Sequence, residues 1–295
     1  FYARRAMADL PDLAKRDYVN RVNRAIDHVT RHLAQPLKLE EVARVAAFSP
    51  FHFHRVFRAM TGETLLEFVK RTRLERALYL MSHGRRSLTD LALEVGFNSS
   101  SDFSRSFKAR FGVSPRNFDL TQWRATHGQQ LGPTLRASDD RFEVRVRALP
   151  ARRVAYLRVF RPYEAGRVKR AVAKLVAWAQ ARGLAGGQWL GSQWEETDLV
   201  PLDKCRYDLG VEVPEGVTLG DDVGEQRLPA MTVVELPMQG DVALETRAFD
   251  WLYGVWLPRS GYSPAHQPAF EAFDGLPYAH GDAHFSLRIQ LAVER

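Results

Sequence analysis

The feature that most constrains the fold of this chain is a duplication. LEEVARVAAF at 39–48 recurs as LTDLALEVGF at 88–97, an offset of 49 residues. SPFHFHRVFRAMTG at 49–62 recurs as SSSDFSRSFKARFG at 99–112, an offset of 50, because Asn98 is inserted in the turn. Equivalent pairs include Leu39/Leu88, Ala43/Ala92, Phe48/Phe97, Ser49/Ser99, Phe53/Phe103, Arg55/Arg105, Phe57/Phe107 and Gly62/Gly112. Each copy reads as a short helix, a tight turn and a second helix. Ser49 and Ser99 are N-cap residue types, and Ser99 with Asp102 has capping-box spacing. Phe53 and Phe57, like Phe103 and Phe107, are i,i+4 and share an inward face. Ala43 and Ala92 fall where the two helices cross, and a small side chain permits close approach.

That packing leaves Phe51, His54, Arg55 and Arg58 outside on the first copy's second helix. On the second copy it leaves Ser100, Ser101, Asp102, Arg105 and Lys108. A helix with short polar and basic side chains near its N-terminus suits the DNA major groove. Arg55 and Arg105 can fork onto guanine, Ser100, Ser101 and Asp102 can meet base edges, and Phe51 can meet a thymine methyl. Arg58 and Lys108 fit phosphates. TLLEFVKRTRLERALYLMS, 64–82, joins the copies with apolar residues at 66, 69, 74, 77, 78 and 81. A helix of about 19 residues spans roughly 28 Å, against about 34 Å between successive major-groove faces. One polypeptide can therefore carry both readers, and a monomer or weak dimer is expected. The arginine excess along 70–86 reads either as a solvated face or as phosphate contact. His52 and His54 are i,i+2 on opposing faces and make a poor metal site, so neither metal nor cofactor is expected.

Charge divides the chain. Residues 1–125 hold 22 Lys and Arg against 13 Asp and Glu, whereas 126–295 hold 20 against 22. A polyanion partner is thus expected for the first part alone. ATHGQQLGPTLRASDD, 125–140, has Gly, Pro and polar residues without a sustained period and reads as a linker. Beyond it, FEVRVRAL and RVAYLRVF alternate as strands do, and a fainter repeat follows. LPARRVAYL (149–157) matches LPAMTVVEL (228–236), Trp178 matches Trp256, Gly183 matches Gly261, and RYDLGVEV (206–213) matches HFSLRIQL (284–291). The expected fold is multi-domain: an all-α double helix-turn-helix domain at 1–124, the linker, and an α/β (α+β) domain at 141–295. The second domain is built of two pseudo-symmetric strand–helix–strand repeats with a cleft between them. The one cysteine, Cys205, excludes a disulfide framework and reads as a buried hydrophobe. No uncharged apolar run approaches 18 residues and no secretory segment precedes the first helix, so the expectation is a cytoplasmic protein without a membrane partner.

Residues 17–124 resemble the DNA-binding domain of the AraC/XylS family of transcription regulators. LEEVARVAAFSPFHFHRVFRAMTG, RLERALYLM and LTDLALEVGFNSSSDFSRSFKARFGVSPRNF carry the resemblance. It implies two recognition helices on a linker helix, with base readers at Phe51, His54, Arg55, Ser100, Ser101, Asp102 and Arg105. The short Ser/Asp set departs from the longer amides often found there, so the target sequence does not transfer. Residues 142–293 resemble the GyrI-like small-molecule-binding domain, through LPARRVAYLR, KCRYDLGVEV, FDWLYGVWLPRSGY and PAFEAF. That resemblance implies a small organic effector, cationic or drug-like, meeting Glu271 in an aromatic cleft, where ring faces add about 0.5–2 kcal/mol each. Trp194 and Tyr156 are candidate walls, with Phe273 and Trp256, although Trp256 shares its repeat position with Trp178 and packing suits both. Two positions depart from the family: Arg161 stands where glycine is more usual, and Phe273 replaces a frequent tyrosine. The partners implied are double-stranded DNA and the effector, with RNA polymerase a further one through the second domain. The alternative is a GyrI-like domain acting as a hydrolase or sequestering protein for reactive small molecules, with Glu271 as general base. Against it, the chain has no discernible Ser/His/Asp order, metal cluster or phosphate loop. An alkyl-transferring repair regulator would need a cysteine ahead of the helices, and none stands there.

Overall fold

The computed structural model describes residues 12–83, 87–127, 141–265, 267–279, 281 and 284–295. The chain forms two compact units, Phe1–Gly128 and Gln129–Arg295.

The first unit is helical. α1 (Asp12–Arg31) precedes the first copy, α2 (Leu39–Val45) and α3 (Pro50–Thr61). α4 (Leu65–His83) leads to the second copy, α5 (Leu88–Glu94) and α6 (Ser100–Phe111), and α7 (Leu120–His127) follows. The duplication is visible in the backbone. Phe48 N–H donates to the Ala43 carbonyl at 2.9 Å and Phe97 N–H to Ala92 at 2.8 Å. Ser49 Oγ caps α3 by accepting from His52 N–H at 3.4 Å, and Ser99 Oγ caps α6 by accepting from Asp102 N–H at 3.1 Å. Gly62 and Gly112 end their helices with φ of 78° each, a conformation that costs glycine little. Phe53, Phe57, Phe103 and Phe107 are fully buried, as are Ala43 and Ala92.

Two expectations in this unit need correction. Leu66, one of the recurring apolar residues of α4, is 63% exposed, and Phe68 fills the core instead. Phe68 meets Phe57 edge to face at 5.5 Å, which rotates the apolar stripe away from Leu66. The arginines of α4 are also not all surface charge. Arg71 forks onto Glu63 and reaches Glu75 at 2.9 Å, while Arg73 donates to the carbonyls of Leu33 and Gln35. Arg85 and Arg86 lie outside the described residues. So does 128–140, most of the segment read as a linker, and 125–127 belong to α7.

Among the described residues the second unit has one antiparallel sheet of nine strands in the order β1-β6-β9-β8-β3-β4-β2-β5, with β7 paired to β9. The strands are β1 (Arg145–Leu149), β2 (Arg152–Phe160), β3 (Trp189–Gln193), β4 (Arg206–Glu212), β5 (Gly224–Leu228), β6 (Met231–Gly240), β7 (Ser263–Pro264), β8 (Phe270–Phe273) and β9 (Phe285–Glu294). α8 (Arg167–Gln180) follows β2, and α9 (Val242–Trp251) follows β6. A π-helical turn, Leu252–Trp256, then runs into α10 (Leu257–Ser260). The order β6-β9-β8 mirrors β3-β4-β2, so a pseudo-two-fold passes between β8 and β3. Because every pairing is antiparallel, the unit is α+β rather than a parallel α/β sheet. Gly183 and Gly261, the matched glycines, both have φ near 70°, at 68° and 73°, beyond their helices. Val172, Leu175 and Trp178 of α8 and Ala248 of α9 join Leu209, Leu236, Leu287 and Ile289 in the main core, so the helices cover one sheet face. A smaller cluster of Val154, Tyr156, Leu190, Leu228, Phe270 and Ala272 lies on the other face.

Candidate reading helices and effector site

On α3, Phe51 is 67% exposed, Arg55 and Arg58 are exposed, and His54 is half-buried. The Arg55 guanidinium stands 5.7 Å from the Phe51 ring centroid, so its aliphatic stem and the ring shape one surface. On α6, Ser101, Arg105 and Lys108 are exposed, while Ser100 and Asp102 are half-buried. Arg105 is 80% exposed and only loosely paired with Asp102, at 3.8 Å. Such a pair costs little to break when a base edge competes for the guanidinium. Both equivalent arginines thus stand free of the core on helices capped and buried in the same way.

In the second unit the ligand candidates separate. Glu271 on β8 pairs across the pseudo-two-fold with Gly191 on β3. Tyr207 on β4 donates its hydroxyl to Glu271 Oε2 at 2.5 Å. A Cβ at position 191 would collide with both the Tyr207 hydroxyl and that carboxylate, so only glycine leaves room for the pair. Burial pushes the Glu271 carboxyl up to about 7, and the Tyr207 hydrogen bond opposes the rise. Burial also holds Tyr207 well above the usual phenol range, with the charge of Glu271 adding to it. Gln193 on β3 donates to the Tyr163 hydroxyl at 2.5 Å, and burial raises Tyr163 as well.

Tyr156 and Trp194 stand elsewhere. Tyr156 pairs with Gly210 and Arg158 with Asp208, while Glu271 shares its register row with Gly191 and Leu209. Side chains alternate along a strand, so Tyr156 belongs to the face opposite Glu271. Trp194 donates its indole N–H to Asp208 Oδ2 at 2.7 Å, and Asp208 is held by Arg158 at 2.8 and 2.6 Å. The Arg158 guanidinium lies 5.3 Å from the Tyr156 ring and 5.8 Å from Trp194. These two aromatics thus stand with an arginine–aspartate cluster, apart from Glu271. Phe273 shares the Glu271 face but is buried in the core, 5.6 Å from the Tyr278 ring. Trp256 sits half-buried in the π-helical turn and stacks on Tyr262 at 6.1 Å. Arg161, the departure from glycine, has φ of 53° and steadies that left-handed turn with an ion pair to Glu164 at 2.9 Å.

Sequence reasoning missed Gly191, Tyr207 and Glu245. Glu245 on α9 is half-buried, and its Oε1 is buried without a hydrogen-bond partner. A signal was present: Glu245 lies three and seven residues before the buried Ala248 and Leu252, on the inward stripe of its helix. Tyr207 carried no such signal, since its partner is 64 residues away.

The comparisons agree with this division. Residues 42–120 match the model of a helix-turn-helix domain, and 142–294 match that of the GyrI-like small molecule binding domain. Regulatory protein SoxS of Salmonella typhimurium is 31% identical over 93 residues, covering 32% of this chain and 87% of SoxS. The transcriptional activator RhaS of Klebsiella pneumoniae is 36% identical over 104 residues, covering 35% of this chain but only 37% of RhaS. A crystal structure of a hydrolase from Listeria innocua is 13% identical, with a TM-score of 0.41, covering 52% of this chain and 92% of that one. No described helix is long and apolar enough to cross a membrane. With two helix-turn-helix copies in one unit and a matched small-molecule-binding unit after it, the chain belongs to the AraC/XylS family of DNA-binding transcription regulators, fused to a GyrI-like domain.

Proposed function

We propose that this regulator senses a small organic cation in its second unit and thereby alters its hold on a specific duplex. The observation that carries the reading is Glu271, a half-buried carboxylate beside Tyr207 whose ionisation burial opposes. A lipophilic cation offers that carboxylate the counter-charge it lacks and offers ring faces a cation–π partner. Phe51, His54, Arg55, Ser100, Ser101, Asp102 and Arg105 read base edges in two adjacent major-groove segments, and Arg58 and Lys108 hold phosphates. The exposure of Arg55 and Arg105 supports this assignment. Coupling follows only if the effector binds the DNA-competent and incompetent states with different affinities. The second unit also offers a surface for RNA polymerase, and a single chain suffices for binding, as monomer or weak dimer.

Selecting bound sites from a random duplex pool, with and without 10-methylacridinium as a fixed-charge probe, tests the reading. A single enriched motif whose retention changes with the probe is expected; no enrichment in either arm refutes DNA reading, and identical retention refutes coupling. A second reading, hydrolysis with Glu271 as general base, is favoured by a carboxyl near neutrality. Turnover of an electrophilic small molecule that disappears in Glu271→Gln would support it, and turnover unchanged in that variant would dismiss it.

A further inference from the structure

The strand order of the second unit ends in β1 on one side and β5 on the other. Among the described residues β1 pairs with β6 alone and β5 with β2 alone, so each presents a free edge to a further strand. The two edges differ in charge. β1 reads RVRAL, and an antiparallel copy set about Val146 brings Arg145 opposite Arg147 twice. Like charges directly opposite oppose pairing. β5 reads GEQRL, and an antiparallel copy set about Gln226 brings Glu225 opposite Arg227 twice. These two side chains share one face, because side chains alternate along a strand, and both are exposed. The same face already gathers charge of both signs. Arg227 stands opposite Arg153 in the β2–β5 register. Glu225 bonds both, Arg153 at 2.7 Å and Arg227 at 3.0 Å. Glu215 reaches Arg227 at 2.8 Å from the loop before β5, and the two side chains are 70% and 62% exposed. A cavity of about 510 Å³ flanks the strand, lined by Arg153, Glu225, Arg227 and the loop from Glu215 to Gly220.

We propose that β5 is a docking edge for a second copy of this chain, joined antiparallel about a two-fold at Gln226. The two sheets then continue as one, and each Arg227 meets Glu225 of the partner subunit across the strands. The flanking cavity receives those side chains. The ion pair of Glu215 with Arg227 rearranges at little cost, because both groups are exposed. Charges on an edge usually keep strands apart, and here they keep every register apart but one. A slip of two residues sets Glu225 opposite Glu225 or Arg227 opposite Arg227, so only the two-fold register pairs unlike charges. A two-fold contact is isologous, so it closes at two copies and grows no filament. The edge is five residues long and buries well under the roughly 1,200 Å² of a stable interface, which places association in the range of about 100 µM. Pairing gives two duplex-binding units in one particle, a consequence that rests on the function proposed above.

Sedimentation velocity of the full chain without DNA, from about 5 to about 500 µM in low salt, tests the edge. The mass should move from one chain toward two, and the transition should shift to higher concentration in about 0.5 M salt. Arg227→Glu sets acids opposite acids and should weaken association about tenfold. Glu225→Arg sets arginines opposite arginines and should do the same. Mixed in equal amounts, these two variants should associate at least as strongly as the parent, because each now carries one sign. The exchange variant, Glu225→Arg with Arg227→Glu, restores the alternation and keeps an acid opposite Arg153. It should dimerise as the parent does, and it carries the test if Glu225→Arg alone does not fold. A one-chain mass at every concentration, association unchanged by Arg227→Glu, or an exchange variant no stronger than Arg227→Glu overturns the proposal. None of these outcomes bears on duplex reading, which the site selection tests separately.

Discussion

Ala47 and Gly96 occupy the same turn in the two copies, with φ of 53° and 97°. At 96 a Cβ would collide with the Leu33 carbonyl and the Arg73 guanidinium, so glycine is required there by packing as well as by conformation. Alanine at 47 bears only the left-handed cost. Gly96→Ala should therefore destabilise by about 2–4 kcal/mol in denaturant titration, the sum of a strained turn and an overpacked contact, while Ala47→Gly should be tolerated. On the reading helices, Arg105→Ala should cost about 1–3 kcal/mol on a selected duplex and relax one base preference. Lys108→Ala should instead weaken all duplexes alike and reduce the salt slope by about one phosphate's share. Glu271 makes a different kind of prediction. Its carboxyl titrates near 4.5 when free and near 7 in the fold, so the native state binds more protons between those values. Stability from this group is therefore present below about 4.5 and is lost as pH rises through 7. Glu271→Gln, which cannot ionise, should melt above the parent at pH 8, and the gap should close toward pH 5. The exposure of Phe51, Arg55, Arg58, Ser101, Arg105 and Lys108 was legible because helical periodicity is local. Glu271 was legible only through resemblance, and its partner Tyr207 not at all.

At the scale of elements, α4 shows where composition misleads. Its arginines suggested an exposed basic face, yet Arg71 and Glu63 are each 9% exposed at the side chain and bonded at 2.6 Å. The ion pair ties the second turn of α4 to the turn that follows α3, and with Arg73 on the Leu33 and Gln35 carbonyls it anchors the spacer between the copies. Glu63→Ala leaves Arg71 buried with less compensation and should cost about 3–5 kcal/mol, read as an earlier chemical unfolding midpoint. Duplex affinity should fall with it because both readers hang on this helix. The sequence pattern identified the element and its length correctly. It left open whether Leu66 or Phe68 meets Phe57, because recurrence of apolar residues at three and four does not say which of two adjacent stripes faces the core. In the second unit, β2 and β4 were found as strands, but the pairing row that separates Tyr156 from Glu271 is a property of the sheet.

For the whole molecule, the charge division predicts a division of labour. The excess of Lys and Arg lies in residues 1–125, so a fragment ending at Gly128 should keep the full chain's slope of log affinity against log salt on random duplex. A fragment starting at Gln129 should show no duplex binding in the same anisotropy titration. What the sequence alone determined was the duplication, the caps, the buried phenylalanines, the exposed arginines of α3 and α6 and the strand–helix–strand repeats. Each of these is written in spacings of a few residues or in direct self-similarity. Only the tertiary structure decided that Gly191 makes room for Tyr207 beside Glu271 and that Tyr156 and Trp194 belong to the far face. Those relations depend on register between strands distant in sequence, where a one-residue shift exchanges the two faces of the sheet.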